Sequence, residues 1–335
     1  MTIEDSAPPD STADTKRAGR ALGSPLRLTV AAGPHGWPVD AQVVDRAWSE
    51  IERVFAEVDA GMSRFRDDSE LTRLNLAHAP VLGLSRLLVA ALTAADRATR
   101  MTQGRFDARV LRDLERLGFA GVPQVRDGEA STPGPAPAAG PGRLVRRSGR
   151  HGAIELLAPV DLGGIGKGLA LRWAAAAAGA VLGDAGFLLD AGGDLVSHGM
   201  RAGEPWSIGI EDPTAGGDPL AVVVLHRDQA IATSSVRIAS TVGADGRLVH
   251  HLIDPRTGEP GGAGLAAVTV AWRDPAWAEV WSKALFLEGV TGIADAARSR
   301  GLAAWWVHED GELSMTPAAR QQTSWVLAEA RRVGG

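Results

Sequence analysis

A glycine-rich loop with one lysine stands directly before a helical segment. This glycine–lysine loop (residues 161–168) reads Asp-Leu-Gly-Gly-Ile-Gly-Lys-Gly. Glycines let the backbone approach a ligand closely, and free amides at a helix start, with the Lys167 ammonium, favour an anion such as phosphate. A Walker A loop would need glycine six residues before the lysine and Ser or Thr after it, where Asp161 and Gly168 stand. A tight turn with a solvated lysine explains the loop alone equally well.

Two further segments place polar groups at strand ends. Asp190 and Asp194 enclose an Ala-Gly-Gly turn that follows the apolar residues 187–189. Such a turn can meet a ligand or a metal, although Asp and Gly are also the commonest residues of plain turns. Thr233 and Ser234 close another predicted strand and offer hydroxyls, which could equally form a capping motif.

A pair of histidines precedes an Asp-Pro turn in residues 250–258. If residues 248–253 form one strand, alternation points His250 and His251 to opposite faces, so one of them faces a given site. An imidazole with its ordinary pKa of about 6.5 can act as a general base at neutral pH. A lone histidine in a strand is more often structural, and that alternative stays open.

The composition excludes several other kinds of chemistry. The chain has 335 residues, 45% of them apolar, and a formal net charge of -5, so we predict a globular protein without general attraction to nucleic acid or anionic membrane. It contains no cysteine. Disulfides, thiolate zinc sites and thiol nucleophiles are therefore excluded.

The two ends and one internal stretch differ in composition from the rest. Residues 1–20 mix charges with Pro, Ser and Thr and lack the apolar segment of a secretion signal, which predicts a disordered leader over residues 1–24 and a cytoplasmic location. The longest apolar stretches, such as residues 173–182, fall short of the roughly 20 residues that span a bilayer. Residues 123–143 are rich in Pro, Gly and Ala and predict a surface insertion.

The elements that position these residues follow from hydrophobic periodicity. Ala47, Ile51, Val54, Phe55 and Val58 share one helical face, and the sequence predicts further helices near residues 84–95, 169–182, 277–287 and 292–300. Strands are predicted at residues 26–30, 154–157, 187–190, 207–210, 221–225, 230–233, 248–253 and 266–272. Adjacent strands mixed with strand–helix units favour an α+β fold, with a two-lobed domain over residues 25–316 and a tail over residues 317–335.

Taken together, the motifs resemble those of the ApbE family, flavin transferases that move FMN from FAD onto a protein hydroxyl. The resemblance covers about residues 26–314 and rests on six motifs in the family's order. These are Gly61-Met62-Ser63-Arg64-Phe65 with its following Ser69-Glu70-Leu71 and Arg73-Leu74-Asn75, Gly104-Arg105-Phe106-Asp107, the glycine–lysine loop, Ala191-Gly192-Gly193-Asp194, Ala232-Thr233-Ser234, and residues 251–258.

The resemblance implies bound FAD as substrate, a divalent metal that is normally magnesium, and a Thr or Ser hydroxyl of an acceptor protein as the second substrate. It implies that His251 acts near the chemistry as a base, together with Asp254 of the same motif. The residues that it implies for cofactor binding are Met62, Phe65, Asp107, Gly163, Gly164, Gly166, Lys167, Asp190, Gly192, Gly193, Asp194, Thr233 and Ser234.

The implied metal ligands are a carbonyl of Gly166 and the side chain of Glu279, but the sequence departs from the family here. Where the family usually has Ala-Asp and then Ser-Thr, this chain reads Ala278-Glu279 and Ser282-Lys283. A protonated lysine cannot ligate a metal. Helical spacing predicts a Glu279–Lys283 ion pair, either on a solvated surface or above the pyrophosphate, where it would compete with magnesium.

Two other functions fit the same residues. With water in place of a protein hydroxyl, the site would be an FAD pyrophosphatase that gives FMN and AMP. A flavin-binding protein without turnover is the second alternative.

Overall fold

The computed structural model describes residues 14–33, 37–119, 143–148, 152–214, 216–237, 240–242 and 248–327. Within them the helices are α1 Ala41–Met62, α2 Glu70–Leu76, α3 Arg86–Met101, α4 Leu111–Arg116, α5 Gly166–Leu182, α6 Pro275–Phe286, α7 Gly289–Ser299 and α8 Pro317–Gln321. A 3-10 turn, Ala108–Val110, precedes α4. None of the helices in these ranges is both long and apolar enough to cross a membrane.

The strands come in runs rather than in regular alternation with the helices. They are β1 Thr15–Ala21, β2 Ser24–Val30, β3 Val145–Ser148, β4 Ala153–Leu156, β5 Phe187–Ala191, β6 Asp194–His198, β7 Trp206–Ile210, β8 Ala221–Leu225, β9 Ala230–Ser235, β10 Ser240–Val242, β11 Leu248–His250, β12 Ile253–Asp254, β13 Glu259–Pro260, β14 Leu265–Trp272, β15 Ala303–His308, β16 Leu313–Met315 and β17 Thr323–Val326. Within the described residues, β5 to β14 follow one another without a helix between them. The α+β prediction is confirmed.

An antiparallel sheet in the order β1-β2-β5-β6-β9-β14-β15-β16 forms the centre of the described fold. Alternate side chains of its strands enter different cores, as the two-residue period of a strand requires. Val196 packs with α1 and α5, and Val268 packs with α6 and α7. Their neighbours Leu195 and Ala267 instead pack towards the small sheet β17-β8-β7 on the opposite face.

The helices on the first face form because their apolar stripes are buried and their ends are capped. Asp40 begins α1 by accepting a hydrogen bond from the Gln42 amide, and Asp274 begins α6 through the amides of Ala276 and Trp277. Helix α5 packs against both α1 and α6. The glycine–lysine loop is therefore held between these two helices.

The predicted leader over residues 1–24 is wrong for the part that the structure describes. Strand β1 pairs with β2 through a tight turn at Leu22 and Gly23, both of which have positive φ angles. Strand β1 is an edge strand and has no large apolar side chain. Its pairing with β2 holds it in place, together with the ion pair between Arg17 of β1 and Asp45 of α1. Residues 1–13 lie outside the described residues.

The predicted tail also contains fold elements. Strand β17 pairs with β8, and the Trp305 indole donates to the Thr323 hydroxyl at 3.0 Å. These contacts come from residues far away in sequence, so local composition could not indicate them. The predicted insertion over residues 123–143 lies outside the described residues, apart from Arg143.

Candidate active site

The glycine–lysine loop enters α5 through close packing that only glycine permits. A Cβ on Gly164 would lie 2.8 Å from Phe106 Cε2, and one on Gly168 would lie 2.5 Å from the Cα of Ala276 in α6. The residue before α5, Ile165, provides no side-chain cap. Instead the Gly168 amide donates to Glu279 Oε2 at 2.8 Å, which places a carboxylate at the positive end of the helix dipole.

Two cavities meet at this loop. The histidine cavity, of about 430 Å³, lies between the loop, Phe119 and His251. The helix cavity, of about 890 Å³, lies between the loop, α1 and the β1–β2 turn. Both are lined by Arg64, Phe65, Asp161 and Gly163, so they are the two ends of one groove.

An exposed aromatic ring and a methionine from the end of α1 lie where the two cavities meet the loop. Phe65 is 64% exposed, and the Arg64 guanidinium lies 4.3 Å from its ring centroid. Met62 lines the helix cavity but is mostly buried in the core. Phe65 therefore offers a ring face to a ligand, whereas Met62 supports the loop at Gly166.

Three buried carboxylates around the loop each have a basic side chain beside them. Asp161 pairs with Arg64 at 3.2 Å, Asp194 with Lys167, and Glu279 with Lys283 at 3.0 Å. Burial raises the pKa of Asp161, and Arg64 and Lys283 offset this only in part. Burial disfavours the Lys167 ammonium, but Asp194 and Glu279 outweigh it and raise the pKa of Lys167.

The residues implied as magnesium ligands do not fit a magnesium ion. Glu279 is fully buried, and its two oxygens accept from the Gly168 amide and the Lys283 ammonium. Gly166 is the first residue of α5, so helical geometry directs its carbonyl along the helix axis. Across the described ranges, no three His, Asp or Glu side chains are grouped so that they could hold a metal.

The two histidines line different cavities, although the predicted single strand over residues 248–253 is wrong. The strand is interrupted at residues 251–252, between β11 and β12. There the Leu252 amide donates a hydrogen bond to His250 Nδ1 at 3.3 Å. His250 faces a separate cavity and lies edge-on to Phe286, and burial lowers the pKa of His250. His251 faces the histidine cavity, edge-on to Phe119 at 6.4 Å between ring centroids.

Asp254 is not among the residues that line the groove. It lines the same separate cavity as His250, and its carboxylate accepts from Arg256 Nε at 3.0 Å. Burial opposes ionisation of this carboxyl, but Arg256 and then Arg105 outweigh it and hold the pKa of Asp254 below its usual value. The Asp254 carboxylate thus anchors the turn after His251 through Arg256 and Arg105.

Several other residues from the predicted set do not line the groove. Gly192 and Gly193 form the β5–β6 turn, and Asp190 accepts a hydrogen bond from the Gly193 amide within it.

The two hydroxyl residues of β9 bond to other side chains. The Thr233 hydroxyl bonds to Thr269, and the buried Ser234 bonds to Ser282 of α6. Asp194 contacts the loop through its ion pair with Lys167, and it also accepts from the Thr233 amide. Asp107 does line the histidine cavity, but its carboxylate is paired with Arg109.

Arg64, Asp161 and Phe119 are among the groove residues that were missing from the predicted site. Arg64 and Asp161 stand inside the motifs, and for Asp161 its place at the start of the glycine–lysine loop was a usable signal. Phe119 has no such signal, because it comes from the end of the α4 segment and approaches His251 only in the folded chain.

A groove that joins an exposed ring face to a glycine loop at a helix start, with Lys167 in that loop and Lys283 beside it, has the features of a site for an aromatic nucleotide and its phosphates. More specifically, the chain belongs to the ApbE family, whose model matches residues 22–306. The resemblance inferred from the six motifs is thereby confirmed.

The chain is similar to named members of that family over most of its length. The FAD:protein FMN transferase of Salmonella typhimurium strain LT2 is 29% identical over 325 residues, 92% of this chain and 89% of that protein. The enzyme of the same name from Klebsiella pneumoniae strain 342 is 29% identical over 88% of this chain and 87% of its own length. The crystal structure of the Thermotoga maritima ApbE protein superposes with a TM-score of 0.77 at 25% identity, covering 93% of this chain and all of that one.

Proposed function

We propose that this chain transfers FMN from FAD to a Thr or Ser hydroxyl of an acceptor protein and releases AMP. The observation that carries this function is the single groove in which an exposed ring, a phosphate-type loop and a histidine follow one another. The relatives named as FAD:protein FMN transferases support the same reaction. The cytoplasmic location stays a prediction from composition.

The reaction is a displacement at phosphorus. The acceptor oxygen forms a bond to the FMN-side phosphorus while the bond from that phosphorus to the AMP phosphate oxygen breaks, and AMP leaves with the electron pair. His251 accepts the proton of the attacking hydroxyl, a contribution of about 10²–10⁴-fold in rate for a general base. The loop amides, Lys167 and Arg64 hold the phosphates in line with the attack.

The function is tested by incubating the purified chain with FAD and an acceptor protein that the Salmonella relative modifies, with that relative assayed beside it. Mass spectrometry of acceptor peptides should show an added FMN on one Thr or Ser, with an equal amount of AMP in solution. Free FMN and AMP without a modified peptide would identify a pyrophosphatase instead. Unchanged FAD, in an assay where the relative is active, would identify a flavin carrier.

We expect Phe65→Ala to weaken FAD binding without unfolding the protein. The ring is largely exposed, so its loss should change the free energy of unfolding by less than about 0.5 kcal/mol. Loss of one aromatic contact should raise the FAD dissociation constant about 3–10-fold. Fluorescence titration measures it, with Trp37→Ala as control, because Trp37 is 72% exposed and lies outside the groove. Equal dissociation constants for the two variants would remove Phe65 from the flavin site.

A further inference from the structure

Lysine is rare in this chain, and two of its three lysines line the groove. Lys167 belongs to the glycine–lysine loop, Lys283 belongs to α6, and the third, Lys16, is exposed on β1. The other 32 of its 35 Lys and Arg residues are arginines. An ammonium differs from a guanidinium because it is a compact point charge that fits where a small cation would fit.

The Lys283 ammonium has a fixed position. Its Nζ donates to Glu279 Oε1 at 3.0 Å, and its Cδ lies 3.5 Å from where a Cβ on Gly164 would stand. The side chain is 17% exposed and lines the histidine cavity beside Asp161, whose charge it also stabilises. It therefore lies at the loop, on the side of the groove that contains His251.

The charges around the loop leave little attraction for a divalent cation. Asp161, Asp194 and Glu279 supply three negative charges, and Arg64, Lys167 and Lys283 supply three positive ones. A magnesium ion needs oxygen ligands at about 2.0–2.1 Å in near-octahedral geometry. At Glu279 it would have to share an oxygen with the ammonium, and the two cations would repel each other.

We propose that the Lys283 ammonium, held by Glu279, is the cation that faces the pyrophosphate of FAD, and that this chain binds FAD without a divalent metal. The inference rests on the proposed function, because it assumes that FAD is the ligand of the groove. Lys167 adds positive charge from the helix cavity, and Arg64 adds it where the two cavities meet. Lys283 thus supplies positive charge to the pyrophosphate, which magnesium supplies in the family pattern.

The first test needs only the unmodified protein. FAD is titrated by fluorescence in EDTA and again in millimolar magnesium chloride, and we expect dissociation constants that agree within about twofold. A tightening of tenfold or more with magnesium would overturn the metal-free inference and leave the proposed function standing. Absence of FAD binding in both buffers would instead contradict the proposed function, and the inference with it.

Variants at position 283 separate charge from ligation. In EDTA, Lys283→Thr and Lys283→Met should each raise the FAD dissociation constant by about tenfold or more, the range of a charged hydrogen bond. Magnesium should restore binding to Lys283→Thr, which gains a ligand oxygen, and not to Lys283→Met. Without FAD, magnesium should raise the melting temperature of Lys283→Thr but not that of the unmodified protein.

Lys16→Thr makes the same exchange on the surface and should behave like the unmodified protein in every measurement. If Lys283→Thr bound FAD as tightly as Lys16→Thr in EDTA, Lys283 would not be the cation of the site. If either variant at position 283 failed to fold, as its melting curve would show, the titrations of the unmodified protein would still decide between the two outcomes.

Discussion

We expect His251→Ala to lower the rate of FMN transfer by about 10²–10⁴-fold, while the FAD dissociation constant changes by less than about twofold. The imidazole faces the histidine cavity and acts on the attacking hydroxyl, so the resting complex with FAD does not need it. Single-turnover transfer to the acceptor protein, followed by mass spectrometry, measures the rate. A fluorescence titration measures FAD binding of the same preparation.

The neighbouring histidine provides the matched control. His250→Asn keeps an acceptor for the Leu252 amide, and its side chain faces a different cavity, so transfer should fall by less than about threefold. An equal loss of transfer in both variants would mean that the turn itself, rather than the His251 imidazole, is required. Loss of FAD binding in His251→Ala would reassign this histidine to holding the cofactor.

We expect Gly168→Ala to destabilise the protein by about 1–3 kcal/mol and to weaken FAD binding. The added methyl group would lie 2.6 Å from the Pro275 carbonyl oxygen and 2.5 Å from Ala276 Cα, both of them backbone atoms that cannot rotate away. Helices α5 and α6 must separate, which disturbs the Gly168–Glu279 hydrogen bond and the loop. Guanidinium unfolding and FAD titration measure the two effects.

A second glycine of the same helix is the control for backbone effects. At Gly179 a Cβ would find its nearest neighbour at 4.0 Å, on the Phe187 ring. Gly179→Ala should therefore stabilise the protein, by up to about 1 kcal/mol, because alanine loses less backbone entropy in a helix. If Gly168→Ala were equally stabilising, the close approach of α5 and α6 would not be real.

The ion pair on α6 shows what local sequence could predict and what it could not. Four-residue spacing on a helix predicted that Glu279 and Lys283 would meet, and they do, at 3.0 Å. The same spacing is compatible with a solvated surface, and only the packing of α6 against α5 shows that Glu279 is fully buried beside the glycine–lysine loop. The predicted magnesium ligands did not fit because that packing had already used the oxygens of Glu279.

In the second half, β5, β7, β8, β9 and β14 were predicted within a few residues, whereas other strands, among them β1, β6, β15 and β17, were missed. A run such as residues 221–225 can be recognised as a strand from its own sequence, because its apolar side chains must be buried. Strands β1 and β17 carry mixed side chains and are ordered by their partners β2 and β8. A strand of this kind cannot be recognised before its partner is known.

By itself, the sequence determined the α+β class, the family and the loop at the start of α5. These depend on composition, on the periods of helix and strand, and on short motifs, all of which are local. The tertiary structure decided which of the motif residues meet in one groove, because convergence depends on packing between distant elements. Thus Phe119 and Arg64 line the groove. Asp254 instead bonds to Arg256, and Ser234 bonds to Ser282.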